Sequence, residues 1–244
     1  LVGRDEQLDY ATGIEQAGSV EAFIKNDLYN PKRQMLGEEQ EAWLQQALQR
    51  SKARGATWQV LGQQVLMGKL NIPVIPPEEL AKLELSEYAR PRVEQTQQLA
   101  PYGLPSNLDA WDGYPAARER LFALLSAHAT NPVSLAGDTH NGWAFNLTNQ
   151  KGEAVGVEWG TPGISSPGLE NYVPLPPEQM QALLKGASPE LVACDTSQRG
   201  WTQVTLTPEA ATAQWRFVSS VIEPAYQTSA GEPLVTQRNA RTLA

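Results

Sequence analysis

The residues best suited to chemistry lie at Gly137-Asp138-Thr139-His140, where a carboxylate and an imidazole stand two positions apart on a turn opened by glycine. Such a pair can aim an oxygen and a nitrogen at one metal ion, and turns at strand ends are where rigid scaffolds place such ligands. Four residues alone leave a second reading open, in which Asp138 caps a turn and His140 bonds locally. Ser165 and Ser166 have no base at a useful spacing, so they shape a loop rather than attack. His128 falls on an apolar helix face near the helix end, where a cation favours the dipole, and reads as structural. Cys194 is the only cysteine, which excludes an intrachain disulfide and a cysteine-based zinc cluster.

The elements that position the turn follow from periodicity. Glu38, Glu39 and Glu41 open a helix whose apolar stripe is Trp43, Leu44, Ala47 and Leu48, with Arg50, Lys52 and Arg54 near an end at Gly55. Thr57 to Met67 reads as a strand covered on both faces. From Asn71 to Asn107, prolines at 73, 76, 77, 91, 101 and 105 predict an irregular surface insertion with a short helix near Glu78 to Leu83. Pro115 starts a second helix, in which Leu121, Leu124, Leu125 and His128 share a face, and Asn131-Pro132 ends it. Val133 to Ala136 is then a short buried strand that delivers Gly137 to its end. Trp143 to Leu147 and Ala154 to Trp159 pair across a turn at Asn149 to Gly152. A helix near Glu178 to Lys185 and strands at Trp201 to Leu206 and Trp215 to Val221 complete the sheet. The expected fold class is α/β, one domain with mixed strands.

The chain has 244 residues, 41% of them hydrophobic, enough for a substantial core. A net charge of -8 with scattered Lys and Arg offers no groove for nucleic acid. It does not exclude anionic ligands, because a metal site carries its own charge. No run approaches the roughly 20 apolar residues of a membrane span. The first residue is Leu, in a polar run, so the numbering is expected to begin inside a longer polypeptide.

The segments RQMLGEEQEAWLQQAL, TWQVLGQQV, LDAWDGYPAARERLFALL, NPVSLAGDTHNGWAFNL and VGVEWGTPGISSPG resemble, in that order, the PhoD-like alkaline phosphatases of the calcineurin-like metallophosphoesterase superfamily. The resemblance runs from about Arg4 to Gly168. It implies the C-terminal half of a β-sandwich flanked by helices, with a dinuclear site, described in this family with Fe(III) and Ca2+, that hydrolyses phosphate esters with a metal-activated water. The superfamily motif Gly-His-x-His appears here with Asp138 for the first histidine, a harder donor that suits calcium or ferric iron better than zinc. By the same resemblance Asp138 and His140 are ligands of the catalytic metals, and Gln64 occupies the place of a further ligand, against an alternative as a satisfied amide in a buried strand. Asp112, Thr139 and Asn141 are candidates to brace ligands or position water, while Trp111 and Tyr114 pack.

The family's remaining ligands come from an upstream half with a Gly-Asn-His motif, which is absent here. The partner expected is therefore that upstream half, in the same polypeptide or as a cleaved chain, together with a phosphate-ester substrate. A periplasmic or secreted location follows only from the family. The alternatives are a non-catalytic metal- or ligand-binding scaffold and a purely structural domain.

Overall fold

A computed structural model describes residues 8–244, and its first elements are set by local capping. The side chain of Asp9 accepts from the Thr12 amide to start α1 (Tyr10–Ala17), and Gly18, in the left-handed region at φ 80°, ends it. Ser19 caps α2 (Val20–Phe23), which continues as a π-helical turn over Ile24–Leu28. Helix α3 (Glu38–Ala53) carries acids in its first turn and bases in its last, as the dipole favours. The chain then forms β1 (Gln59–Gly62), α4 (Pro77–Leu80), α5 (Ala89–Leu99) and α6 (Pro115–His128). Next come β2 (Pro132–Ala136), β3 (Gly142–Thr148), β4 (Ala154–Gly160), α7 (Pro177–Ala187) and β5 (Leu191–Asp195). It ends in β6 (Arg199–Leu206), β7 (Ala210–Val218), β8 (Thr228–Ala230) and β9 (Leu234–Gln237).

The first sheet has the order β1-β2-β4-β3-β5. Strands β1, β2 and β4 run parallel, with Val60 opposite Val133 and Val133 opposite Val157, and β3 is antiparallel to both β4 and β5. In the second sheet β7 pairs antiparallel with β6, β8 and β9. Residues of β7 alternate buried and half-buried, and Ala211, Ala213, Trp215 and Phe217 meet Val133, Ala144, Val157 and Trp159 of the first sheet. That shared cluster makes the pair of sheets a sandwich. The other face of the first sheet packs on Leu121, Phe122 and Leu125 of α6 and on Met180 and Leu184 of α7.

Several expectations need correction. The strand read over Thr57 to Met67 is only β1, because beyond Gly62 the chain turns so that the Met67 and Gly68 amides can reach the buried Glu158 carboxylate at 2.9 and 2.8 Å. The segment from Asn71 to Asn107 is not a surface excursion: Ile72, Ile75, Leu83, Leu85, Val93, Leu99 and Leu104 are buried, and it contains α5, a helix that the proline pattern does not predict. The C-terminal strands do not close the first sheet but build the second one, and β5, absent from the sequence reading, takes the edge beside β3. The mixed α/β class stands.

Candidate functional site

Three parallel strands end together. Beyond β1 the Gln63 amide bonds the Leu135 carbonyl, and the Gly137 amide bonds the Gln64 carbonyl at 2.9 Å. Beyond β4 the Thr161 amide bonds the Ala136 carbonyl at 2.9 Å. The segments after β1, β2 and β4 therefore lie side by side at the carboxyl ends of parallel strands, where open α/β sheets place their ligand sites.

The middle segment is tightly wound. The Thr139 amide bonds the Gly137 carbonyl at 2.8 Å, a three-residue turn around Asp138, whose φ is 67°. His140 is also left-handed, at φ 62°. Side chains larger than glycine rarely adopt this region, and when they do the surroundings must hold them there. Here they do. The Thr139 hydroxyl accepts from Trp143 Nε1 at 2.6 Å, pinning the turn to β3. The His140 carbonyl accepts from the Gly163 amide at 2.9 Å and from an Arg199 guanidinium nitrogen at 3.1 Å.

The His140 ring has a defined role in this arrangement. Its Nδ1 lies 2.8 Å from the Pro167 carbonyl, which can only accept, so Nδ1 is the donor, and in the neutral ring the lone pair is on Nε2. A ring nitrogen oriented by a backbone carbonyl through the opposite nitrogen is the usual arrangement of a metal-binding histidine. Asp138 and His140 are both exposed, and the Asp138 carboxylate has no hydrogen-bond or ion-pair partner among the described residues. Two donors of different hardness thus stand open on one turn, of types that metal sites use. No group of three His, Cys, Asp or Glu side chains that could hold a metal is present among the described residues.

The other expected residues surround this turn in different ways. Asn141 is buried, accepts from the Leu169 amide at 2.9 Å and donates to Glu170 at 3.4 Å, so it ties the loop after β4 to the turn. Gly168 is needed there, since a Cβ would stand 2.4 Å from the Asn141 amide nitrogen. Gln64 is exposed beyond the end of β1, which removes the alternative of a satisfied amide in a buried strand. Its carbonyl holds Gly137, and it lines a cavity with Ala136, Gly137 and Thr161 that does not include Asp138 or His140. Asp112 is buried and accepts from the Leu70 amide at 2.9 Å; it does not line the cavity beside Asp138, but Leu70 does. Burial pushes the Asp112 carboxyl up to about 7.

Sequence reasoning missed the residues that hold His140 from outside its own turn, namely Gly163, Pro167, Glu170 and Arg199. Arg199 reaches the His140 carbonyl while pairing with Glu170, which also accepts from the Gly168 amide at 3.1 Å. A second buried network supports the rim after β1. Glu158, fully buried, accepts from the Met67 and Gly68 amides, Ser134 and Gln63, while burial pushes its carboxyl upward against those bonds. Gln63 in turn accepts from Trp111 Nε1 at 2.6 Å.

A family model for PhoD-like phosphatase matches residues 4–215. Alkaline phosphatase D of Bacillus subtilis (strain 168) is 30% identical over 219 residues, covering 88% of this chain and 32% of that protein. A solved structure of PhoD aligns with a TM-score of 0.62 at 26% identity, covering 90% of this chain and 36% of that one. The chain thus spans about a third of the length of the relatives it matches.

Proposed function

The chain belongs to the PhoD-like phosphatase family, and from that premise we propose that it forms the C-terminal part of a metal-dependent phosphate-ester hydrolase domain, acting on monoesters or diesters. The observation that carries the proposal is the Asp138 to His140 turn, with a free carboxylate and a free imidazole nitrogen at the ends of three parallel strands. Bound cations, Fe(III) and Ca2+ by family resemblance, would supply Lewis acidity toward the phosphoryl group and a nucleophile from water. Asp138 contributes a hard anionic oxygen and His140 its Nε2, held in one tautomer by Pro167. Thr139, Asn141, Glu170 and Arg199 keep the turn from relaxing. In this proposal Gln64, exposed beyond the end of β1, contributes a weak donor or orients water.

Two donors are too few for a cation pair, so the remaining ligands come in this proposal from an upstream segment of the same protein or a cleaved partner chain. The β1 edge supports this. Strand β1 is at the end of its sheet, Val60 on it is 42% exposed and Trp43 beside it is 64% exposed. Exposed strand edges bordered by large apolar side chains are surfaces that folded proteins cover. Export to the periplasm or cell exterior is likewise proposed from the family; no helix among the described residues is long and apolar enough to cross a membrane.

The test is elemental analysis of the complete polypeptide together with hydrolysis of a chromogenic phosphate ester, with and without chelator. Asp138→Asn and His140→Gln should each cut turnover by at least about a hundredfold and lower bound metal, consistent with loss of a metal-held catalytic group. Normal metal content and turnover in both variants would refute the assignment. Bound metal without turnover in the native protein would instead support the non-catalytic scaffold.

A further inference from the structure

A cavity of about 490 Å³ adjoins the Asp138 to His140 turn and has no role in the reading above. The turn forms one wall. Ile72 and Val93 from the segment between β1 and α6, and Leu169 and Val173 from the loop before α7, supply much of the rest. Its size is that of a small-molecule pocket, and its lining is mainly carbon.

Several polar groups on its walls are committed elsewhere. The Gln97 side chain accepts from the Ile75 amide at 2.8 Å and donates to the Pro73 carbonyl at 3.1 Å. The Leu70 amide is held by Asp112, and the Leu70 carbonyl accepts from the Ser106 hydroxyl at 2.6 Å. Asn141 is taken by Leu169 and Glu170. These bonds fix the walls in place, so an occupant would not have to order them on arrival. Arg92, exposed and stacked 4.0 Å over the Tyr88 ring, adds a cation to a lining that is otherwise mainly carbon.

We infer that this cavity receives the organic group of the phosphate ester and selects apolar substituents of about aryl size over small or polyhydroxylated ones. The inference rests on the phosphoester reading. With phosphorus held at the turn, a substituent directed into the cavity exchanges water for Ile72, Val93, Leu169 and Val173, which favours binding in proportion to apolar area. A sugar-like substituent would bury hydroxyls against Ile72, Val93, Leu169 and Val173, which costs binding.

Phosphonates test this without a change of leaving group, since their phosphorus–carbon bond survives and they serve as competitive inhibitors. Phenylphosphonate and methylphosphonate are compared at an alkaline pH where both are dianions, against chelator-sensitive turnover of a chromogenic ester by the complete polypeptide. Phenylphosphonate should inhibit with a Ki lower by about tenfold or more, the scale of discrimination by an apolar pocket. Val173→Trp, which fills the cavity, should bring that ratio below about threefold. Should Val173→Trp fail to fold, Val173→Ala, which leaves a void against the ring, should reduce the ratio by about threefold or more. Turnover with equal Ki values, or with a ratio unmoved by the folded variants, overturns the cavity assignment alone. Absence of chelator-sensitive turnover overturns the phosphoester reading, and this inference with it.

Discussion

Arg118→Met should be among the most damaging single changes in the chain, for reasons that can be counted. Arg118 lies on α6 with its side chain 1% exposed, and its guanidinium stacks 4.2 Å from the centre of the Phe122 ring. Nε donates to the Met67 carbonyl at 2.6 Å, one terminal nitrogen to the Thr148 carbonyl at 3.1 Å, and the other to Glu190 at 2.6 Å. Glu190 is itself 6% exposed and accepts from the Lys69 amide and the Thr148 hydroxyl. Methionine fills much of the volume, so the loss is electrostatic rather than a cavity. Leaving Glu190 buried and unpaired costs about 3–5 kcal/mol. Two orphaned carbonyls add about 1 kcal/mol each, which carries the total toward or beyond the upper end. Urea unfolding followed by tryptophan fluorescence reads this as a lower midpoint at unchanged slope. Arg118→Met combined with Glu190→Gln should recover about 2 kcal/mol relative to the sum of the single changes, because the stranded charge is gone. A cost below about 1 kcal/mol for Arg118→Met, or strict additivity in the pair, would refute the reasoning.

Two further outcomes follow from buried groups near the site. Asp112 has a folded-state pKa of about 7 against an ordinary 3.8, so the native state holds the proton more tightly than the unfolded state. Its contribution is thus most favourable at low pH and is lost as pH rises from about 4 to about 7. The loss reaches up to about 4 kcal/mol, since the gap between the two values is worth ~1.4 kcal/mol for each pH unit it spans. Asp112→Asn should flatten that fall in Tm measured across the same interval, with Glu158, raised in the same direction by burial, supplying the remainder; superimposable profiles would count against it. Arg199→Lys in the complete polypeptide should weaken metal binding by about tenfold in chelator competition while circular dichroism stays native, since lysine cannot span the His140 carbonyl and Glu170 together. Unchanged metal affinity would mean that Arg199 serves the fold alone.

What is legible in the sequence is whatever local physics writes there. Helices α3 and α6, strand β2 and the β3–β4 hairpin have clear periods and punctuation, and their bounds fall within a few residues of expectation. Helix α5 is hidden because Pro91 and the surrounding charges read as loop. Yet Pro91 sits in the first turn, where a backbone N–H has no helical partner to lose. Strand β1 reads too long because the pull of Glu158 on Met67 and Gly68 acts across 91 and 90 residues. A trace of it is visible: an acid inside the apolar run Val155 to Trp159 is either on an exposed face or buried with many donors, and here it is buried. The His140 supports are invisible for the same reason, with Pro167 and Arg199 at separations of 27 and 59 residues.

Backbone strain by itself does not identify the site. Among the described residues, four non-glycine positions adopt positive φ, namely Asp138, His140, Asn239 and Arg241, and such positions cost about 1–3 kcal/mol each when nothing compensates. Asn239 and Arg241 lie where the C-terminal segment is tied down, the Asn239 amide to the Asn131 side chain at 2.6 Å and the Arg241 guanidinium to the Ala129 carbonyl at 2.8 Å. There the Asn239 main chain and the Arg241 side chain serve as anchors. At Asp138 and His140 the compensation comes from the backbone, Thr139 and Pro167, and the carboxylate and Nε2 are left over. A fold that needed only a turn here could use glycine or asparagine at lower cost. Holding a carboxylate and an imidazole in that conformation, with their free donors facing outward, has a physical rationale if something binds to both, and a cation is the partner that their chemistry shares.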